Sequence, residues 1–184
     1  CLRECENIEI KNTKLVSTEF GWKCRNIHFS DCDMESEYFL FMTRDTDIER
    51  LRMNGKYSFQ YTENLRIKDS ELNTKDAFWH CKNVTVENSV INGEYLAWYS
   101  DGLTLINCKI NGTQPLCYCR NLRIINCTME NADLSFEYSD VRADINGSIV
   151  SVKNPHSGYI KADSIGEVII GNSVMENNCR IITE

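Results

Sequence analysis

The stretch Cys81-Lys82-Asn83-Val84-Thr85-Val86-Glu87-Asn88-Ser89 has close copies elsewhere in the chain: CENIEIKN at 5–12, CRNIHFSDC at 24–32 and CRNLRIINC at 119–127. Anchored on the shared Asn, these copies belong to the series Asn7, Asn26, Asp45, Asn64, Asn83, Gly102, Asn121 and Asp140, in which every gap is 19 residues. A gap held through the whole series marks a repeat architecture.

The columns of the repeat define its local structure. One residue past the anchor stand Ile8, Ile27, Thr46, Leu65, Val84, Leu103, Leu122 and Val141; three past it stand Ile10, Phe29, Ile48, Ile67, Val86, Leu105, Ile124 and Ala143. The residues between are polar or charged, among them Glu9, His28, Asp47, Arg66 and Arg123. Alternation of period two predicts a strand with one buried face. A second short inward stretch carries Leu15, Met34, Met53, Leu72, Ile91, Ile110 and Met129. Asn54-Gly55, Asn92-Gly93 and Asn111-Gly112 recur at one place and read as left-handed corners. A third strand is expected through Phe20-x-Trp22-x-Cys24, Ala77-x-Trp79-x-Cys81 and Leu96-x-Trp98-x-Ser100, with Tyr57, Phe59 and Tyr61 displaced by one position as a bulge would do.

One such repeat cannot bury its apolar face, but stacked repeats can, at about 4.8 Å per coil. The expected fold is all-β: a single-stranded solenoid with three short strands per coil of 19 residues. Neither a hexapeptide nor a pentapeptide unit divides that gap, which leaves a right-handed parallel β-helix. Regular coils are expected over 1–140, and irregular terminal coils with a C-terminal cap over 141–184, where 152–158 reads as a loop and Ile165, Val168 and Ile170 as a last inward pattern. Cys1 falls inside an expected strand with no cap before it. The reading expects more coils ahead of Cys1, or a partner covering that edge; self-association through it is one possibility.

The composition narrows function by exclusion. A chain of 184 residues with 42% hydrophobic and 26% charged residues is neither disordered nor membrane-spanning, and no apolar run reaches transmembrane length. Its net charge of −7 argues against a nucleic-acid partner. Ten cysteines could mean a disulfide framework. However, Cys5, Cys24, Cys81 and Cys119 share one inward column and Cys32, Cys108 and Cys127 another, where the other repeats place Ser, Thr or Leu. They read as small buried thiols, which fits a reducing, cytoplasmic setting. No CxxC pair occurs, so neither a metal site nor a cofactor is expected.

Lys75-Asp76-Ala77-Phe78-Trp79-His80-Cys81-Lys82-Asn83-Val84-Thr85-Val86, Gly93 to Trp98, Ser135 to Ser139 and Val152-Lys153-Asn154-Pro155 resemble an uncharacterised bacterial family, catalogued only as a domain of unknown function. The resemblance covers essentially the whole chain, most closely from about Asn64 onward, and matches the C-terminal two-thirds of the family. It implies a pectin-lyase-like right-handed β-helix, and it brings no catalytic residues with it.

Two candidate sites remain. Tyr61, His80, Tyr99 and Tyr118 fall in one outward column and would form an exposed aromatic ladder able to engage a saccharide or a protein. Asp47, Glu49, Arg66 and Lys68 fall on adjacent coils and are the only candidates for a polysaccharide lyase or hydrolase acting on an acidic glycan; alternating charge on a solvated sheet explains the same residues. Arg66-Ile67-Lys68 matches an RIK motif of polygalacturonase-like enzymes, but the companion NTD, DD and GHG motifs are absent. Ile106 and Ile125 form a smaller outward apolar pair, a second possible face for self-association. The leading expectation is a non-catalytic binding or scaffold module.

Overall fold

The structure, a computed structural model, describes residues 2–184. Cys1, with its expected place in a first strand, lies outside the described residues. Regular structure is entirely β: β1 (Glu6–Lys11), β2 (Lys14–Phe20), β3 (Arg25–Phe39), β4 (Arg44–Lys56), β5 (Glu63–Lys68), β6 (Glu71–Lys75), β7 (Lys82–Glu87), β8 (Val90–Asn92), β9 (Asp101–Ile106), β10 (Lys109–Asn111), β11 (Leu122–Glu130), β12 (Asp140–Ile145), β13 (Ser148–Lys153), β14 (Ser157–Ala162), β15 (Ser164–Ile169) and β16 (Arg180–Thr183). Every pairing is parallel. The chain is a β-solenoid of about 9 turns, with equivalent residues roughly 19 apart. No helix is long and apolar enough to cross a membrane.

The register follows the sequence columns. Along the first leg Ile8 pairs with Ile27, Ile27 with Thr46, Thr46 with Leu65, Leu65 with Val84 and Val84 with Leu103. Along the second, Leu15, Met34, Met53, Leu72, Ile91, Ile110 and Met129 stack in turn. From Ile27 onward these inward side chains are buried in one continuous core. Each contributes on the order of 1.5–3 kcal/mol by leaving water, and only the neighbouring coil provides something to leave it for.

The corners between legs take left-handed backbone, which Asn tolerates better than other residues with a side chain. Asn26, Asn64, Asn83 and Asn121 all have φ between 51° and 56°. Their amides bond along the rod: Asn26 donates to Asn7 at 2.7 Å, Asn64 to Asp45 at 2.8 Å and Asn83 to Asn64 at 2.7 Å. A second ladder joins Asn88, Asn107, Asn126 and Asn146, and a third joins Asn54, Asn73, Asn92, Asn111 and Asn131.

The third leg differs from its expected form. The strands of each coil lie in the first two legs, and the residues between them form stacked turns with left-handed φ at alternate positions: Tyr57, Phe59 and Tyr61; Asp76, Phe78 and His80; Tyr95, Ala97 and Tyr99. The side chains therefore run in adjacent pairs instead of alternating. Ala77 and Phe78 both point into the core, while Trp79 and His80 both point out of it, partly buried. Phe59 is not displaced by a bulge; with Leu40, Phe78, Ala97 and Leu116 it forms one regular buried column. The turns still bond between coils, as in Phe59 N to Phe39 O (2.7 Å) and Phe78 N to Ser58 O (2.9 Å).

The Asn-Gly steps are not the left-handed corners expected, since Asn54, Asn92 and Asn111 lie in β4, β8 and β10 without positive φ and Gly55, Gly93 and Gly112 have φ of 159°, 158° and 145°; the glycines have another reason. They are packed so closely on the coil below that a Cβ at Gly55, Gly93 or Gly112 would collide with the carbonyl oxygen of Ser36, Thr74 or Gly93 respectively. Past Val141 the coil length varies: Val141 pairs with Gly158 and Ile149 with Ile165, but Ile160 with Ile181. The expected loop at 152–158 shrinks to Asn154-Pro155-His156, flanked by β13 and β14. Of the last inward pattern only Ile165 packs on the core; Val168 and Ile170 are 42% and 56% exposed.

One inward slot is imperfect. Thr46 is buried between Ile27 and Leu65, and its hydroxyl has no hydrogen-bond partner. An unmet buried hydroxyl costs about 1–3 kcal/mol. Thr46→Val, of nearly the same shape, should raise stability by about 1 kcal/mol, read as a higher urea midpoint at unchanged slope.

Candidate functional site

The third leg carries most of the aromatic residues of the rod. Tyr61, His80, Tyr99 and Tyr118 are brought together as the sequence column predicts. Their ring centroids are 4.8, 5.0 and 4.7 Å apart in succession, with interplanar angles of 11°, 7° and 10°. Tyr138 continues the stack at 5.8 Å with a tilt of 41°. Tyr61 and Tyr99 are 45% and 47% exposed. The stacking has a consequence for binding: each inner ring has both faces covered by its neighbours, so the ladder offers solvent its rims. Ring rims carry the positive end of the aromatic quadrupole, and here they also present phenol hydroxyls and an imidazole.

Trp79 and Trp98, expected in the core, lie half-buried behind the ladder. They stack on each other at 5.3 Å, and Trp98 meets Tyr118 edge-on at 5.4 Å. Their indole N–H groups donate to the carbonyls of Tyr95 and Gln114 at 2.6 and 2.8 Å. These bonds fix the turn that aims the outward rings.

Where the ladder meets the first leg there is a groove of about 520 Å³. Met42, Tyr61 and His80 form one wall, and the charged residues that precede each Asn anchor form the other. Arg25 is paired with Glu6 at 2.7 Å and Arg44 with Glu63 at 3.3 Å. Lys23 and Lys82 also line the groove, and neither has an ion-pair partner among the described residues. The sequence reading missed this wall, although Glu6, Arg25, Arg44, Glu63 and Lys82 occupy one column of the repeat.

The other candidates are placed as follows. Asp47 and Arg66 face each other on adjacent strands, as do Glu49 and Lys68. Their charges are engaged elsewhere in part: Asp47 lies 3.7 Å from His28, Glu49 is 2.9 Å from Arg50, and Lys68 is 3.2 Å from Glu87. Asp47 and Arg66 border a shallow depression of about 430 Å³ beside the Asn ladder, which Glu49 and Lys68 do not line. Ile106 and Ile125 are adjacent on β9 and β11, with Ile125 37% exposed. His156 is held by the chain's last segment, its Nδ1 lying 2.9 Å from the Glu176 carbonyl. Among the described residues, no group of three or more His, Cys, Asp or Glu side chains is placed to hold a metal ion.

Nine cysteines are described, all unbridged, and seven of them are buried. Burial pushes the Cys81 thiol well up, that of Cys117 to about 12 and that of Cys119 to about 11. Thiols so hard to ionise are poor nucleophiles. Alkylation by iodoacetamide at mildly basic pH, mapped by mass spectrometry, should spare Cys81, Cys117 and Cys119 in the native protein and modify them once it is unfolded.

Asp76 is the one buried carboxylate of this leg, 7% exposed. Burial raises its pKa above the ordinary 3.8; Lys75 opposes that shift and Glu94 adds to it. The folded state thus holds the proton more tightly than the unfolded chain. The stability this contributes is complete below the unfolded value and is lost as pH rises through the raised folded value. At neutral pH the ionised side chain is a net cost. Asp76→Asn should therefore melt higher than wild type at pH 7, with the difference shrinking as the pH approaches 3.8.

Comparison with known families gives one result. The family described as "Protein of unknown function (DUF3737)" matches residues 1–182. No curated protein and no solved structure matches the chain. The chain belongs to the DUF3737 family.

Proposed function

We propose that this member of the DUF3737 family is a non-catalytic binding module for an acidic saccharide, held in the groove between the aromatic ladder and the charged column. The observation that carries the reading is the pair Lys23 and Lys82: two cations without ion-pair partners in a groove whose other charges, Glu6 with Arg25 and Glu63 with Arg44, are neutralised. A groove with unpaired positive charge is completed by an anion.

The walls favour a saccharide over a protein. Met42 is the one aliphatic side chain in the groove, beside the Tyr61 ring and the Cys24 thiol, and the rest is hydroxyl, imidazole, ammonium, guanidinium and the two arginine-bound carboxylates. Such a lining suits a ligand that combines hydroxyl and carboxylate groups with apolar C–H faces, as a saccharide does. The rungs repeat at about 4.8 Å, so the donors form a line that fits an extended polymer. Because the ring faces are already stacked, the sugar is bound at the ring rims and not by stacking on a face. Glu6 and Glu63, the carboxylates of the groove, are tied to arginines, which leaves no free carboxylate there for acid or base catalysis.

The test is calorimetric titration with oligogalacturonate, and with a neutral oligosaccharide as control. Wild type should bind the uronate more tightly, and Lys23→Ala with Lys82→Ala should weaken it by roughly tenfold or more. Equal binding by that variant would remove the groove. A wild-type protein that ignores every uronate would end the acidic-saccharide reading. Release of shortened or unsaturated products would show catalysis instead.

A further inference from the structure

The outward face of the first leg changes character along the rod. In its early coils most of the charges are paired locally, Arg66 being an exception among the described residues: Lys11 with Glu9 at 2.5 Å, His28 with Asp47 at 3.7 Å, Arg50 with Glu49 at 2.9 Å and Lys68 with Glu87 at 3.2 Å. Further on, one column reads Thr104, Arg123, Arg142, Tyr159, Arg180, each in register with the next. Arg123, Arg142 and Arg180 are exposed, and none takes part in an ion pair or a side-chain hydrogen bond among the described residues. The neighbouring column reads Ile106, Ile125, Asp144, Lys161, Ile182. Its carboxylate, Asp144, accepts the Tyr159 hydroxyl at 2.9 Å. Ile125 and Ile182 are 37% and 39% exposed.

Like charges in register on adjacent strands are unfavourable. Arg123 beside Arg142 is such a pair, in a chain whose net charge is −7. The pair becomes favourable once carboxylates lie across it. We infer that this face, distinct from the groove, docks an acidic protein segment that carries aliphatic side chains between its carboxylates. Arginine, tyrosine and exposed isoleucine together are the composition of a protein interface. The isoleucines would give a glycan or a simple polyanion nothing to bind. A second copy meeting this face by a twofold axis would set one net-positive face, with Arg123, Arg142, Lys161 and Arg180 against the single carboxylate Asp144, on another, which favours a different surface as the partner.

The probe is a fluorescein-labelled synthetic peptide of alternating Glu and Leu, followed by fluorescence anisotropy. Wild type should bind it, more weakly as salt rises. The double variant Arg123→Glu, Arg142→Glu should lose roughly tenfold or more in affinity. Arg142→Gln and Ile125→Ser, milder changes at exposed positions, should each weaken binding while circular dichroism reports an unchanged fold. Lys23→Ala with Lys82→Ala should bind the peptide as wild type does, which separates this face from the groove. Three outcomes would overturn the inference: no binding of the peptide by wild type, equal binding by the Arg variants, or polyglutamate binding as tightly as the Glu-Leu peptide. A wild-type dimer in light scattering that the Arg variants dissociate would assign the face to self-association and overturn it as well.

Discussion

Each coil depends on the next for its backbone hydrogen bonds. A parallel strand cannot pair with its own sequence neighbour without a long return path, and here the return path is the coil itself. This constraint holds the register of Ile27 on Ile8 and Leu65 on Thr46, and it forces the inward column to recur with the hydrogen-bond partners. It also makes the corners expensive. Two directions of chain must be joined without losing the ladder, and left-handed residues with small amide side chains do so. The Asn ladders then complete the corner by bonding rung to rung, in the same direction as the backbone.

That constraint explains what could be read in the sequence and what could not. The first two legs are strands, so apolar alternation of period two locates their inward residues: Leu65, Ile67, Leu72, Val84, Val86 and Ile91 are all buried as expected. The slot reading of the cysteines holds for the same reason; Cys108 and Cys127 occupy the position of Ser70 and Ser89. The third leg breaks the premise. Left-handed φ at Phe59, Phe78 and Leu116 turns adjacent side chains to one side, and nothing in a Phe or Leu announces such backbone, because these residues adopt it rarely. Tryptophans placed inward by alternation therefore come out half-buried. The glycines after Asn54, Asn92 and Asn111 are needed not for the left-handed corner that Asn-Gly suggests but for a reason the sequence alone does not contain: contact with a carbonyl nineteen residues earlier.

The site was legible in the same uneven way. The ladder Tyr61, His80, Tyr99, Tyr118 follows from spacing alone, because any outward column stacks. Which part of each ring would meet a ligand does not follow, since it depends on ring tilt. The charged wall of the groove was visible as a column, but its significance lies in which charges remain after pairing, and pairing is a matter of side-chain geometry. Arg25 and Lys82 look equivalent in the sequence, yet one has a carboxylate at 2.7 Å and the other has none.

In a solenoid this difference between compensated and uncompensated charge is the informative one. Stacking sets identical columns side by side, so a charge placed in a column for structural reasons tends to be answered by its opposite one coil away, as Lys75 is by Glu94 and Lys56 by Glu37. Each such exposed pair contributes little to stability, but it cancels the field that a ligand would feel. Positions that go unanswered keep their field, and where like charges stand in register, as Arg123 and Arg142 do, they add repulsion. The fold gains nothing from leaving Arg123 beside Arg142, or Lys23 and Lys82 free in the groove. Uncompensated like charge held in register is therefore better evidence for a partner than the more conspicuous aromatic stack, whose rings already satisfy one another.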